Sequence, residues 1–270
     1  MSHAALAAAI SIFSGIVSGI ASGIASGSVE VPKIPRDDSG EKATYRYRLV
    51  EPPAEAIADG KRVPLVVFLH GSGERGDDNA RQLVHFVGAA AKPDFQARAP
   101  CFVLAPQCPA KESWSPIDLK TLQAGGTMAF AAEPTRALRA VEAMVDELLR
   151  TRPIDPDRVY LTGLSMGGFG AFDLAARRPE LFAALVPVCG GGDPATAERL
   201  RGVPVLLAHG VDDPVVPVGQ SRMMEVALRN AGVTVTLVEY PGVGHDAWTP
   251  AYRFGPDGVL DRMFAARRRR

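Results

Sequence analysis

The chain has 270 residues, 47% hydrophobic and 22% charged, which supplies a sizeable core and excludes a disordered chain. Thirty Lys and Arg balance thirty Asp and Glu, so no net field draws it to nucleic acid or to an anionic membrane surface. Cys101, Cys108 and Cys189 lack metal-ligand spacing and are too few for a disulfide scaffold, so three buried thiols are expected, with one disulfide and a spare thiol as the alternative.

Residues 1–30 form an apolar tail in which Gly15, Gly19, Gly23 and Gly27 recur every four residues, each after a serine. Three readings stay open. The tail is a secretory signal ending near Ala25-Ser26-Gly27, though no Lys or Arg precedes it. Alternatively it is a membrane anchor of the small-residue type, or a low-complexity extension without a role. The signal reading, taken first, points to an extracytoplasmic location. Residues 31–44, with two prolines and mixed charges, read as a linker, and residues 45–266 as one domain. The four arginines at 267–270 read as a solvated basic terminus with no function.

Within the domain, Tyr45 to Val50 alternates like a strand, and Leu65 to Leu69 is a continuous apolar run suited to a central parallel strand. Leu83 to Ala91 reads as a helix, with His85 inside it, and Cys101 to Ala105 as the next strand. Between Lys111 and Ala132 periodicity fails around Trp114, Pro116 and Gly125-Gly126, which suggests an insertion near a site. Glu133 to Arg150 is an amphipathic helix with Pro134 in its first turn. Arg158 to Thr162 reads as a strand, Met166 to Arg177 as a helix, and Leu181 to Val188 and Val203 to His209 as strands. A helix over Gln220 to Asn230, a strand over Val233 to Tyr240 and a helix over Gly258 to Ala266 close the chain. This alternation predicts an α/β fold with a mostly parallel central sheet and helices on both faces.

The chemistry gathers at the ends of those strands. Gly163-Leu164-Ser165-Met166-Gly167 lies where a strand meets a helix, the one setting in which G-x-S-x-G lifts a serine hydroxyl above a sheet edge. A serine hydroxyl needs a base, and His245 follows the last strand in a glycine-rich loop. The base needs a carboxylate, and the adjacent Asp212 and Asp213 follow the strand ending at His209. For a developing oxyanion, the N–H of Met166 is one expected donor. A second should come from His70-Gly71-Ser72-Gly73, with Ser72 chosen and Gly71 next. Trp114 and Trp248, with Gly71, are candidate substrate contacts, though either tryptophan could equally belong to the core. Glu74 and Arg75 read either as site residues or as a solvated pair.

The runs LVVFLHGSGERGDDN, FVLAPQCP, DRVYLTGLSMGGFGAFDLAARRPELFAA, HGVDDPVVPV and YPGVGHDAWTPAY resemble the bacterial carboxylesterase and phospholipase-like branch of the α/β-hydrolase superfamily. That branch includes predicted peptidases, dienelactone-hydrolase-like proteins and relatives of feruloyl and polyhydroxybutyrate esterases. The resemblance covers nearly all of residues 45 to 265. It implies an α/β-hydrolase fold, no cofactor and no metal, and hydrolysis of a small or polymer-linked carboxylic ester through an acyl-enzyme. It also places the acid of the HGxxDxxVP pattern on Asp213, giving the catalytic set Ser165, Asp213 and His245. The alternatives are a serine peptidase for short peptides, an acyltransferase using the same site, and a binding module that kept the fold without catalysis.

Overall fold

The structure, a computed structural model, describes residues 24–32 and 42–268. Among these, eight strands form one sheet in the order β1-β2-β4-β3-β5-β6-β7-β8. They are β1 (Ile24–Pro32), β2 (Lys42–Val50), β3 (Val63–Leu69), β4 (Phe102–Pro106), β5 (Ile154–Leu164), β6 (Ala184–Val188), β7 (Val205–Gly210) and β8 (Val235–Tyr240). The first two are antiparallel to their neighbours, and β4 through β8 run parallel. The helices are α1 (Phe86–Ala90), α2 (Pro93–Arg98), α3 (Leu119–Gln123) and α4 (Arg136–Thr151). They continue with α5 (Met166–Arg177), α6 (Gly219–Asn230), α7 (Trp248–Ala251) and α8 (Leu260–Ala265).

β3 shows why the sheet sits where it does. All seven of its residues are buried, and the two-residue period sends them to opposite layers. Leu65, Val67 and Leu69 pack with Leu138, Val141 and Met144 of α4, Phe172 of α5 and Met224 of α6. Val66 and Phe68 join Phe86 and Val87 of α1 with Leu260 and Met263 of α8 in the other layer. A continuous apolar run is therefore required, since neither face meets water.

Several boundaries differ from the sequence expectation. The helix expected from Glu133 starts at Arg136, because Thr135 caps it: the Leu138 N–H donates to its hydroxyl at 3.1 Å. The stretch Leu83 to Ala91 is not one helix; it breaks at His85, which stands at φ 61° before α1. Residues 24–30 belong to a strand rather than wholly to an apolar tail, and residues 31, 32 and 42–44 extend the pairing into the expected linker. Gly27 faces Tyr47 across that pair, and a Cβ there would overlap the Tyr47 ring. The rest of the expected tail and linker, residues 1–23 and 33–41, and residues 269–270, lie outside the described residues. Arg267 and Arg268 are not simply solvated, since they pair with Asp155 at 3.4 Å and Asp157 at 3.1 Å. All three cysteines are free and buried. No helix among the described residues is long and apolar enough to cross a membrane.

Candidate active site

The carboxyl ends of β3, β5, β7 and β8 share one edge of the sheet, where open α/β sheets place their ligands. Ser165 follows β5 in a backbone conformation, φ 52° and ψ −118°, that a non-glycine residue adopts only under strain. Its surroundings hold it there. The Ser165 N–H donates to the Val188 carbonyl at 2.9 Å, and the Gly168 N–H donates to the Ser165 carbonyl at 2.8 Å. The flanking glycines are sterically required: a Cβ on Gly163 would overlap the Gly167 carbonyl, and one on Gly167 would overlap the Leu69 carbonyl. Strand and helix can touch only because both side chains are missing.

Two further loops meet the serine. His245 Nε2 lies 3.0 Å from Ser165 Oγ, and its Nδ1–H donates to Asp213 Oδ2 at 2.7 Å. Asp213 is buried whereas Asp212 is exposed, so the carboxylate facing the ring is that of Asp213. Burial pushes the Asp213 carboxyl up, but donors outweigh it and hold the group well below the usual carboxylate range. Those donors are His209, His245 and the N–H groups of Val216 and Val215, the last two on Oδ1 at 3.0 and 2.8 Å. His209, fully buried at the end of β7, was legible only as a residue before the acidic pair. Its Nε2 sits 2.9 Å from the Val216 carbonyl and 3.3 Å from Asp213 Oδ2, which puts the proton on Nε2. The loop carrying His245 is pressed onto β7, where a Cβ on Gly210 would overlap the Val243 and Gly244 carbonyls. The Cys189 thiol donates to the His245 carbonyl at 3.1 Å, and burial pushes that thiol up to about 12. Cys189, Asp213 and His245 bring their donor atoms within 4.8 Å of one another, but hydrogen bonds already use Nδ1 and both carboxylate oxygens.

The loop after β3 is clamped by a buried histidine. His70 accepts from the Cys108 N–H on Nε2 at 2.9 Å, so Nδ1 carries the proton and donates to the Gly71 carbonyl at 2.6 Å. Burial lowers this imidazole to about 4, which keeps it neutral in that tautomer. In a planar trans peptide the Ser72 N–H points opposite to the Gly71 carbonyl, hence away from His70. Neither that N–H nor the one of Met166 has a backbone partner among the described residues. Gly71 itself is buried beside the nucleophile, where a Cβ would stand 3.7 Å from that of Ser165.

Trp114 corrects an expectation. It is no cleft wall: it is fully buried, donates from Nε1 to the His70 carbonyl at 2.9 Å, and fills the space left by Gly170. The insertion around it does lie near the site, since Leu122 and Met128 pack on Phe169 and Val216 beside the acid loop. Trp248 is half-buried, edge-on to His245 with ring centres 5.4 Å apart. His85, a residue that periodicity assigns to a helix, also contacts the Trp248 ring, with ring centres 5.0 Å apart.

Comparison with known proteins agrees with this architecture. Residues 92–253 match the model of the dienelactone hydrolase family. NocK of Nocardia uniformis subsp. tsuyamanensis is 32% identical over 64% of this chain, which spans 46% of that relative's length. Carboxylesterase SOBER1 of Arabidopsis thaliana is 25% identical over 67% of this chain and 82% of its own. Among solved structures, a thermostable esterase superposes with a TM-score of 0.73 at 38% identity, covering 88% of this chain and 63% of its own.

Proposed function

The chain belongs to the dienelactone hydrolase family, in the α/β-hydrolase superfamily, and we propose that it hydrolyses carboxylic esters through an acyl-enzyme on Ser165. The observation that carries this reading is the continuous relay from Ser165 Oγ through His245 to Asp213, at 3.0 and 2.7 Å, on the carboxyl edge of the sheet. Both contacts are within the reach that proton transfer requires.

In the proposed cycle His245 Nε2 takes the hydroxyl proton as Ser165 Oγ bonds to the ester carbonyl carbon. Asp213 holds Nδ1 protonated and stabilises the imidazolium that forms. The N–H groups of Ser72 and Met166 receive the negative oxygen, aided by the N-terminus of α5. The tetrahedral intermediate then collapses: the bond to the alcohol oxygen breaks, and His245 returns its proton to the leaving alcohol. Water repeats the sequence on the acyl-enzyme, releasing the acid and restoring the serine.

Initial rates of the full chain and of Ser165→Ala on chromogenic esters from acetate to octanoate, with an aryl amide beside them, test this. The expected result is ester turnover that falls at least about 10³-fold in the variant, with the amide far slower than the esters. Equal ester rates in the two proteins would remove Ser165 from the mechanism. An amide cleaved as fast as the esters would favour a peptidase.

A further inference from the structure

We propose that Glu74 is a substrate-recognition residue whose carboxylate binds a hydroxyl or ammonium group carried close to the scissile ester. This rests on the esterase reading above and names the substrate class that the site favours.

Glu74 closes the short turn Ser72–Glu74 after β3, and its carboxylate lies against Gly71. The point a Cβ on Gly71 would occupy lies 3.0 Å from Glu74 Oε2 and 3.7 Å from the Cβ of Ser165. Leu164 Cδ1 stands 2.8 Å from the same point, so the carboxylate, a Leu164 methyl and the nucleophile all crowd round Gly71, and only a glycine fits among them. Glu74 Oε2 is buried and has no hydrogen-bond partner. A buried carboxylate oxygen without a donor is costly, and one beside a nucleophile is a candidate for pairing with a donor on the substrate.

Neighbouring residues hold Glu74 in place without satisfying that oxygen. Arg75, its partner in sequence, turns away: Nε donates to the Ser72 carbonyl at 3.0 Å and Nη1 to the Glu112 carbonyl at 3.3 Å. Gln107 Nε2 donates to the Glu74 carbonyl at 3.2 Å, which fixes the backbone. His85 Nε2 stands 3.6 Å from the other oxygen, Oε1, within ion-pair range and beyond a good hydrogen bond.

His85 has a backbone conformation, φ 61° and ψ −115°, almost the same as that of Ser165. Both residues immediately precede a helix, and strain of this kind in a non-glycine residue collects at functional sites. The Trp248 ring touches both His85 and His245, so ring and ion-pair contacts link the catalytic imidazole through Trp248 and His85 to Glu74. An aromatic ring linked in this way to an unpaired carboxylate oxygen suits a substrate with an apolar body and a hydrogen-bond donor. A plain alkyl ester would leave that oxygen unpaired.

The test compares wild type and Glu74→Gln on matched esters of one acid: ethyl, 2-hydroxyethyl and 2-aminoethyl, and on ethyl butyrate against ethyl 3-hydroxybutyrate. Wild type should prefer at least one donor-bearing ester over its plain counterpart by about tenfold or more in kcat/KM, expressed mainly in KM. In Glu74→Gln that ratio should fall toward one. Preference for the aminoethyl ester would identify a cation as the favoured donor, and preference for a hydroxy ester would identify a neutral one. Equal loss on every ester in Glu74→Gln, the outcome expected of a loop brace, would overturn the proposal, as would an unchanged preference or none in wild type. Wild type that turned over no ester at all would overturn the esterase reading itself.

Discussion

His70 and His245 are both histidines at the sheet edge, yet their environments divide the work. His245 is partly open to solvent and bridges serine and carboxylate, whereas His70 is buried, neutral and committed to shaping the loop after β3. Because burial lowers the His70 imidazole from its ordinary 6.5 to about 4, the unfolded chain binds a proton in that interval that the folded chain refuses. Stability is therefore complete above pH 6.5 and falls as pH drops toward 4, by on the order of 3 kcal/mol from this residue. Calorimetric melting between pH 8 and 4.5 should show Tm falling through that window in wild type and falling less in His70→Gln; parallel curves would exclude His70 as the source. Asp213 has the same sign at lower pH, since a carboxyl held below its usual range contributes stability that is lost only on further acidification. At this scale the sequence was informative about residue types in motifs and silent about which of several neighbours turns inward. Asp212 and Asp213 were separable only through the family pattern, and Trp114 looked as fit for a cleft as Trp248. Burial decides both cases, and burial is a property of the packed fold.

The turn between β5 and α5 joins two elements that both touch β3, and glycine at 167 is what permits the approach. Gly167→Ala should force helix and strand apart, costing about 1–3 kcal/mol, or several degrees in Tm, together with most of the esterase activity. Gly219→Ala at the start of α6 is the matched control, because a Cβ there meets nothing within 4 Å. It should leave Tm within about a degree or raise it. Equal melting temperatures in the two variants would show that the close contact around the serine is not under steric constraint. The elements legible in advance were those with a strong period or an unbroken apolar run: β3, α4, α5 and α6. Those missed depend on partners distant in sequence. The centre of β1, Ala25 to Ser28, is made of small residues with weak strand preference and is held by pairing with β2, while β5 gains Ile154 to Asp157 beyond the expected start. The break before α1 comes from a positive φ at His85, a conformation for which a histidine gives no sequence signal.

Over the whole molecule, loops from the ends of four strands meet at one edge, while two packed layers below hold those strands in register. The alternation of strands and helices made this arrangement readable, and the order serine, acid, histidine along the chain matches the order in which β5, β7 and β8 end. The contacts linking Glu74, His85 and Trp248 were not readable, because they unite residues more than 160 positions apart with no shared motif. The central claim is a covalent acyl-enzyme, and trapping it is the most direct measurement. The full chain would be mixed with a slowly deacylating ester, quenched in acid within milliseconds, and its intact and peptide masses recorded. The account predicts one acyl group per chain, on the peptide containing Ser165, and none in Ser165→Ala. Turnover without any adduct on that peptide, or an adduct that persists in Ser165→Ala, would contradict it.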